Sequence, residues 1–250
     1  MPSYFLARHV YPCVTADHVV LLDLQRDKYV GVDREQMSTL AALVKGWPRV
    51  GAAATGERAN ALRPQGQAPS PNARADAVLA KMLAAGMLTT DAAAGKDATP
   101  IKMPQPEATL LEASLDTQPE VTFGHVVRFL LASALTGLAL KARSIASVIG
   151  AVNARKTRRA ANASPVDLSA ARGAVGAFIR LRPLLFGAQD ACLFDSLALV
   201  RFLSAYGLFP TCVIGVQTGP FAAHCWVQDG DVIFNDEPEY VRRFTPILAV

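Results

Sequence analysis

The residues best suited to chemistry gather near the C-terminal end. Cys192 follows Gln189-Asp190-Ala191 and opens a largely apolar run, Leu193, Leu197, Leu199, Val200, Phe202 and Leu203, which reads as a helix stopping at Gly207. A thiol at a helix N-terminus gains thiolate character from unpaired backbone N–H groups and the macrodipole. Asp190 is placed to act as N-cap, and its charge opposes that gain. A lone cysteine is more often a buried structural residue; a histidine further along changes the weighing. Phe221 to Gln228 alternates as a strand, with His224 and Trp226 on one face and Cys225 and Val227 on the other. A strand-borne His beside an aromatic is, alone, commonly a core residue. Here Asp229-Gly230 marks a turn, and the return strand from Val232 to Asp236 brings a carboxylate or amide level with His224, where it would fix the imidazole tautomer. A two-residue loop, Asp229-Gly230, pairs Gln228 with Asp231 and sets Asn235 opposite His224; a three-residue loop through Asp231 pairs Gln228 with Val232 and sets Asp236 there. Either register completes a constellation for acyl transfer through a cysteine thioester. The backbone N–H of Cys192 and the side chain of Gln189 are candidate oxyanion donors, and Trp226 is a candidate site wall.

The elements that position these residues need a core, and the composition supplies one. The chain has 250 residues, 51% hydrophobic and 18% charged, with a mean hydropathy of +0.24, which excludes intrinsic disorder. The longest apolar run, Phe129 to Leu140 between Arg128 and Lys141, is shorter than the roughly 20 residues that span a bilayer, so no membrane segment is expected. The N-terminus lacks the basic segment and cleavage site of a signal peptide, which points to the cytoplasm. A net charge of +4 is mild for a nucleic-acid binder, and the densest basic cluster, Arg155 to Arg159, reads as a solvated loop. Four scattered cysteines without a C-x-x-C pair argue against a zinc cluster, and the chemistry above needs no metal or cofactor.

Along the chain, Val10–Val14, His18–Leu24 and Lys28–Val32 read as a meander ending in a hairpin, followed by a helix from Glu35 to Lys45 with Asp33 as N-cap. Arg49 to Pro71 is a loop-like insertion, a second helix runs from about Ala73 to Gly86, and Asp91 to Gln118, with sparse apolar residues and three prolines, reads as a linker. Helices then dominate to Leu185. Strands follow at Thr211–Gln217, Ala222–Gln228 and Val232–Phe234. Strands and helices of this size near the N-terminus also suit a winged-helix DNA binder, but the second helix carries only Arg74 and Lys81.

The stretch Cys192 to Leu199, then Gly207-Leu208-Phe209-Pro210, Ile214-Gly215-Val216, and Phe221 to Val227 leading into Asn235-Asp236, resembles the B proteins of lasso-peptide biosynthesis over about residues 178–250. The resemblance implies an α+β chain with three parts. A small PqqD-like, winged-helix-type leader-recognition domain occupies 1–90, a linker 91–120, and a transglutaminase-like or papain-like cysteine peptidase domain 121–250. It implies a Cys192-His224-Asp236 triad, since spacings of 32 and 12 residues fit the family and favour Asp236 over Asn235. The implied activity is removal of a leader from a ribosomally made precursor, with the leader and an asparagine-synthetase-like cyclase as partners. On that reading the leader adds to an edge strand at Lys28, Tyr29, Val30, Gly31 and Val32 and rests against Ala75, Val78, Leu79 and Met82. The competing readings are a transglutaminase or amidase, which uses the same triad, and a non-catalytic peptide-binding scaffold.

Overall fold

The computed structural model describes residues 4–16, 18–48, 71–111, 120–160, 168–185 and 191–250, with the side chains of 34, 35, 71–75, 159, 160, 168 and 170 outside the description. The insertion expected over 49–71 lies outside the described residues but for Pro71, which opens a helix. The chain forms two compact units, Met1–Pro100 and Ile101–Val250.

In the first unit β1 (Phe5–Ala7) precedes a meander of β2 (Val10–Val14), β3 (Val19–Asp23) and β4 (Lys28–Val32). All pairs in the meander are antiparallel, with Leu21 opposite both Pro12 and Val30. The central β3 is buried at every position, whereas β4 is an edge strand exposed at Lys28, Val30 and Gly31. The turn between them holds because the Asp23 carboxylate accepts the N–H groups of Gln25 and Arg26, each at 3.1 Å, the Asx-type bonding that short polar side chains offer a turn. Helix α1 (Arg34–Leu43) starts at the expected N-cap, Asp33, whose N–H donates to Gln36 Oε1 at 3.2 Å. Helix α2 (Pro71–Ala84) follows, and its Leu79 and Met82 join Leu6, Leu21 and Leu40 in one core. A second sheet, β5-β1-β6, is closed by β5 (Leu88–Thr89) and β6 (Gly95–Lys96).

The second unit begins with β7 (Ala108–Thr109) and the helices α3 (Phe123–Ala142), α4 (Ile145–Ala160) and α5 (Leu168–Leu181). Helix α6 (Cys192–Ser204), strands β8 (Thr211–Thr218), β9 (Phe221–Asp229) and β10 (Val232–Ile233), the short α7 (Pro238–Val241) and β11 (Thr245–Ala249) complete it. The sheet order is β11-β8-β9-β10-β7, antiparallel except for the last pair. Helix α6 packs between α3 and the sheet, and Phe129, Phe178 and Phe202 interlock at centroid distances of 5.3 and 5.5 Å. That burial fixes α6, and with it Cys192.

Three expectations need correction. The stretch read as a linker, 91–120, supplies β6 to the first unit and β7 to the second, while 112–119 lie outside the described residues. Two-residue strands bury too little to leave a hydrophobic period. Arg155 and Arg158 lie on α4 rather than in a loop, because Val148, Ile149 and Val152 give that segment a buried face. The apolar run after Arg128 is only part of α3, whose 20 residues make it, among the described residues, long and apolar enough to cross a membrane by length and composition. The helix extends past the charges that bounded the run. Its Phe129, Ala132, Ser133 and Thr136 are buried, while Phe123, Leu131 and Leu138 are exposed.

Candidate active site

Three elements converge on one cleft of about 1000 Å³, lined among others by Cys192, His224, Asp236, Arg182, Asp195 and Tyr240. Cys192 is the first residue of α6, and the N-cap is Ala191, which makes no side-chain cap. Asp190, expected as cap, lies outside the described residues, as does Gln189. His224 sits on β9 opposite Gly215 of β8. A Cβ at position 215 would lie 2.8 Å from the Trp226 ring, so only glycine leaves room for the indole there. Trp226 in turn stacks on His224 at 6.2 Å and 18°, and Tyr240 and Phe244 hold the imidazole from other sides at 5.1 Å each.

Asp236 reaches His224 by neither register considered from the sequence. The ladder pairs Asp229 with Val232 and Gln228 with Ile233, so the loop is Gly230-Asp231. Gly230 has φ of 58°, the left-handed value a two-residue hairpin turn asks of its first position. After Ile233 the chain leaves the strand in a bend over residues 234–236, and this bend, not cross-strand pairing, aims Asp236. Its Oδ2 stands 2.5 Å from Nε2 of His224. A hydrogen bond also joins His224 to the thiol of Cys192.

The electrostatics follow from that line. The hydrogen bond to His224 is the largest influence on Cys192, and with the backbone contributions of Cys225 and Leu193 it outweighs burial and holds the thiol below its ordinary value. Burial alone would push His224 down; the bonds to Asp236 and Cys192 overcome it and raise the imidazole to about 9. Both shifts favour the thiolate and the imidazolium. The other cysteines differ in kind: burial pushes Cys13 up to about 12, and contact with Cys212, Sγ to Sγ 3.5 Å, together with burial raises Cys225 well above its usual value.

Asn235 points away from His224. Its Nδ2 donates to Asp195 Oδ2 at 2.8 Å and to Ser196 Oγ at 3.2 Å, and its Oδ1 accepts the N–H of Val227 at 2.9 Å. It thus ties β9 to the first turn of α6. Asp195, raised by burial against the pull of Asn235 and Arg182, was not singled out in the sequence, nor was Arg182, whose Nη1 lies 3.4 Å from Asp195 Oδ2. The available signal was weak: an acidic residue one helical turn after the cysteine, on the same face of α6. Trp226 is 1% exposed and does not line the cleft; it supports His224 from the core instead of walling the site. Leu79 and Met82, expected to receive a leader, are committed to the core of the first unit, Val78 packs partly against it, and the side chain of Ala75 lies outside the description. The strand from Lys28 to Val32 is at a sheet edge as expected. Among the described residues no three His, Cys, Asp or Glu side chains are grouped to hold a metal ion.

Comparison with known proteins places this geometry. Residues 132–249 match the family model "Transglutaminase-like superfamily". A 62-residue segment is 45% identical to the microcin J25-processing protein McjB of Escherichia coli, covering 25% of this chain and 30% of that protein, so the match spans less than a third of the relative's length. No solved structure matches the chain. The chain thus carries a transglutaminase-like domain over 132–249 and is similar, over 62 residues, to a microcin-processing protein.

Proposed function

We propose that the chain is a leader peptidase of lasso-peptide biosynthesis, acting by cysteine nucleophilic catalysis. The observation that carries the reading is the line of contacts at the head of α6, in which His224 bonds Asp236 through Nε2 and is hydrogen-bonded to Cys192. In the proposed reaction the Cys192 thiolate attacks the carbonyl that joins leader to core. The backbone N–H of Cys192 faces the developing oxyanion, as a helix N-terminus is suited to do. His224 gives its proton to the leaving amine, which becomes the N-terminus of the core. The leader remains as a thioester on Cys192 until His224, now neutral, takes a proton from water and the leader leaves as an acid. Asp236 holds the ring in one tautomer throughout. The freed amine suits ring closure by an asparagine-synthetase-like partner.

Recognition of the leader belongs, on this reading, to the first unit. A meander followed by helices is the arrangement of a PqqD-like recognition domain, and the open edge of β4 offers a strand-addition site. Holding the leader there raises the effective concentration of the scissile bond at the cleft. The test is incubation of the chain with its precursor, followed by mass spectrometry, with Cys192→Ala as control. Free leader acid and free core, both lost in the variant, are expected. Leader joined to an amine would identify a transferase, and cleavage that survives Cys192→Ala would overturn the assignment.

A further inference from the structure

A second cleft lies at the far end of α6, among α3, α4 and α6, with about 620 Å³ of space, part of it open to solvent. Arg201 stands nine residues after Cys192, roughly 14 Å along the helix at 1.5 Å per residue. Four cations line this cleft: Arg143 after α3, Arg155 and Lys156 on α4, and Arg201 on α6. An adjoining cleft of about 750 Å³ shares Arg155 and adds Arg158. Among the described residues none of the three arginines, 143, 155 and 201, has an ion-pair partner. Lys156 donates to Thr211 Oγ1 at 2.7 Å and is influenced by Asp229. Burial, then the fields of Arg155 and Arg143, hold the Arg201 guanidinium below its ordinary range.

Like charges gathered in this way cost free energy unless something answers them. The floor sharpens the cost, since Leu197 and Val200 keep water's dielectric from the inner side. A second and independent feature lies in the same wall. Thr136 is 1% exposed, lines the cleft, and its Oγ1 is buried with no hydrogen-bond partner among the described residues. Buried hydroxyls are ordinarily bonded, and this one stands without a partner in a residue of the cleft wall.

We propose that this cleft is a binding site for a phosphate-bearing anion with two or more negative charges. A single carboxylate would leave most of the repulsion among Arg143, Arg155 and Arg201 in place, whereas a compact polyanion answers all three. Guanidinium groups suit it geometrically, because their paired N–H donors match phosphate oxygens. The phosphate can be that of a free small molecule or of a lipid headgroup.

The test uses the full chain with inorganic pyrophosphate as probe, titrated calorimetrically and by thermal midpoint at fixed ionic strength. Saturable binding and a raised midpoint are expected. Arg201→Gln and, separately, the exposed Arg155→Gln should each weaken binding about tenfold or more, the change that loss of one charge-assisted hydrogen bond produces. In a parallel arm, cosedimentation with phosphatidylcholine vesicles doped with phosphatidic acid, whose phosphomonoester can carry two charges, lost in both variants while pyrophosphate does not bind, would place the phosphate on a lipid. A midpoint rise that matched chloride reproduces, or that both variants retain, would overturn the proposal, as would the absence of binding in both arms.

Discussion

Asp236 bonds His224 at 2.5 Å from outside the β-ladder: the strand that should carry it ends three residues earlier, at Ile233. Its position therefore depends on the bend over residues 234–236, and that bend is anchored by Asn235, whose side chain reaches back to β9 and α6. Asp236→Asn keeps the shape while removing the charge that raises His224. The rate of precursor cleavage is expected to fall about 10²- to 10⁴-fold, as in other triads that lose the orienting carboxylate. A fall of less than threefold in single-turnover assays would remove Asp236 from the machinery.

The thiolate–imidazolium pair has a pH signature. Because Cys192 is lowered and His224 raised, alkylation by iodoacetamide should proceed at Cys192 near neutral pH, while buried Cys13 and Cys225 stay unmodified. His224→Ala should shift the onset of Cys192 alkylation to higher pH. Peptide mapping after timed labelling reads both, and an unchanged onset in the variant would show that the two side chains do not interact.

Stability should depend on pH in a definite direction. A folded-state value of about 9 against 6.5 means that the native protein holds the His224 proton more tightly than the unfolded chain does. The resulting stabilisation is complete below pH 6.5 and is lost as pH rises through about 9. Its upper bound is on the order of 3 kcal/mol, at about 1.4 kcal/mol per tenfold change in proton affinity. Denaturant midpoints of the chain and of His224→Ala should therefore differ most below pH 6.5 and converge above about 9. A gap that widens with pH would contradict the charged pair.

How much of this was legible in the sequence varies with the range of the interaction. The cysteine at a helix start and the histidine on an alternating strand are local patterns, so Cys192 and His224 could be placed from spacing. The hairpin could be placed too, but its register could not: a turn at Gly230-Asp231 differs from one at Asp229-Gly230 by a single residue, and no periodicity survives beyond the two residues of β10. Asp195 and Arg182 escaped notice because their meeting, and that with Asn235, depends on the packing of α6 against the sheet. Helix α4 was legible in its buried Val148 and Ile149 and half-buried Val152, and was obscured by the basic run that follows.

Asn235 should matter to the fold more than to the reaction. Truncation to alanine leaves the N–H of Val227 and the carboxylate of Asp195 without their buried partner. A loss of about 2–4 kcal/mol in unfolding free energy is expected, the range for buried polar groups stripped of their bonds. Urea unfolding of Asn235→Ala measures it; a loss under about 0.5 kcal/mol would mean that water replaces the amide.

The edge of β4 allows the recognition step to be tested apart from the chemistry. Gly31 is exposed, and a Cβ there meets nothing within 4 Å, so Gly31→Glu should leave the first unit folded and the thermal midpoint nearly unchanged. A leader adding as a strand must pass its backbone along this edge, and a bulky charged side chain beside Val30 obstructs that approach. Leader-peptide affinity, measured by fluorescence anisotropy, is expected to weaken tenfold or more, about 1.4 kcal/mol. Cleavage of a short peptide that spans only the scissile bond should keep its rate, since the cleft is untouched. Equal loss on both substrates would mean that the substitution damages the fold, and unchanged affinity with an unchanged midpoint would move the leader off this edge.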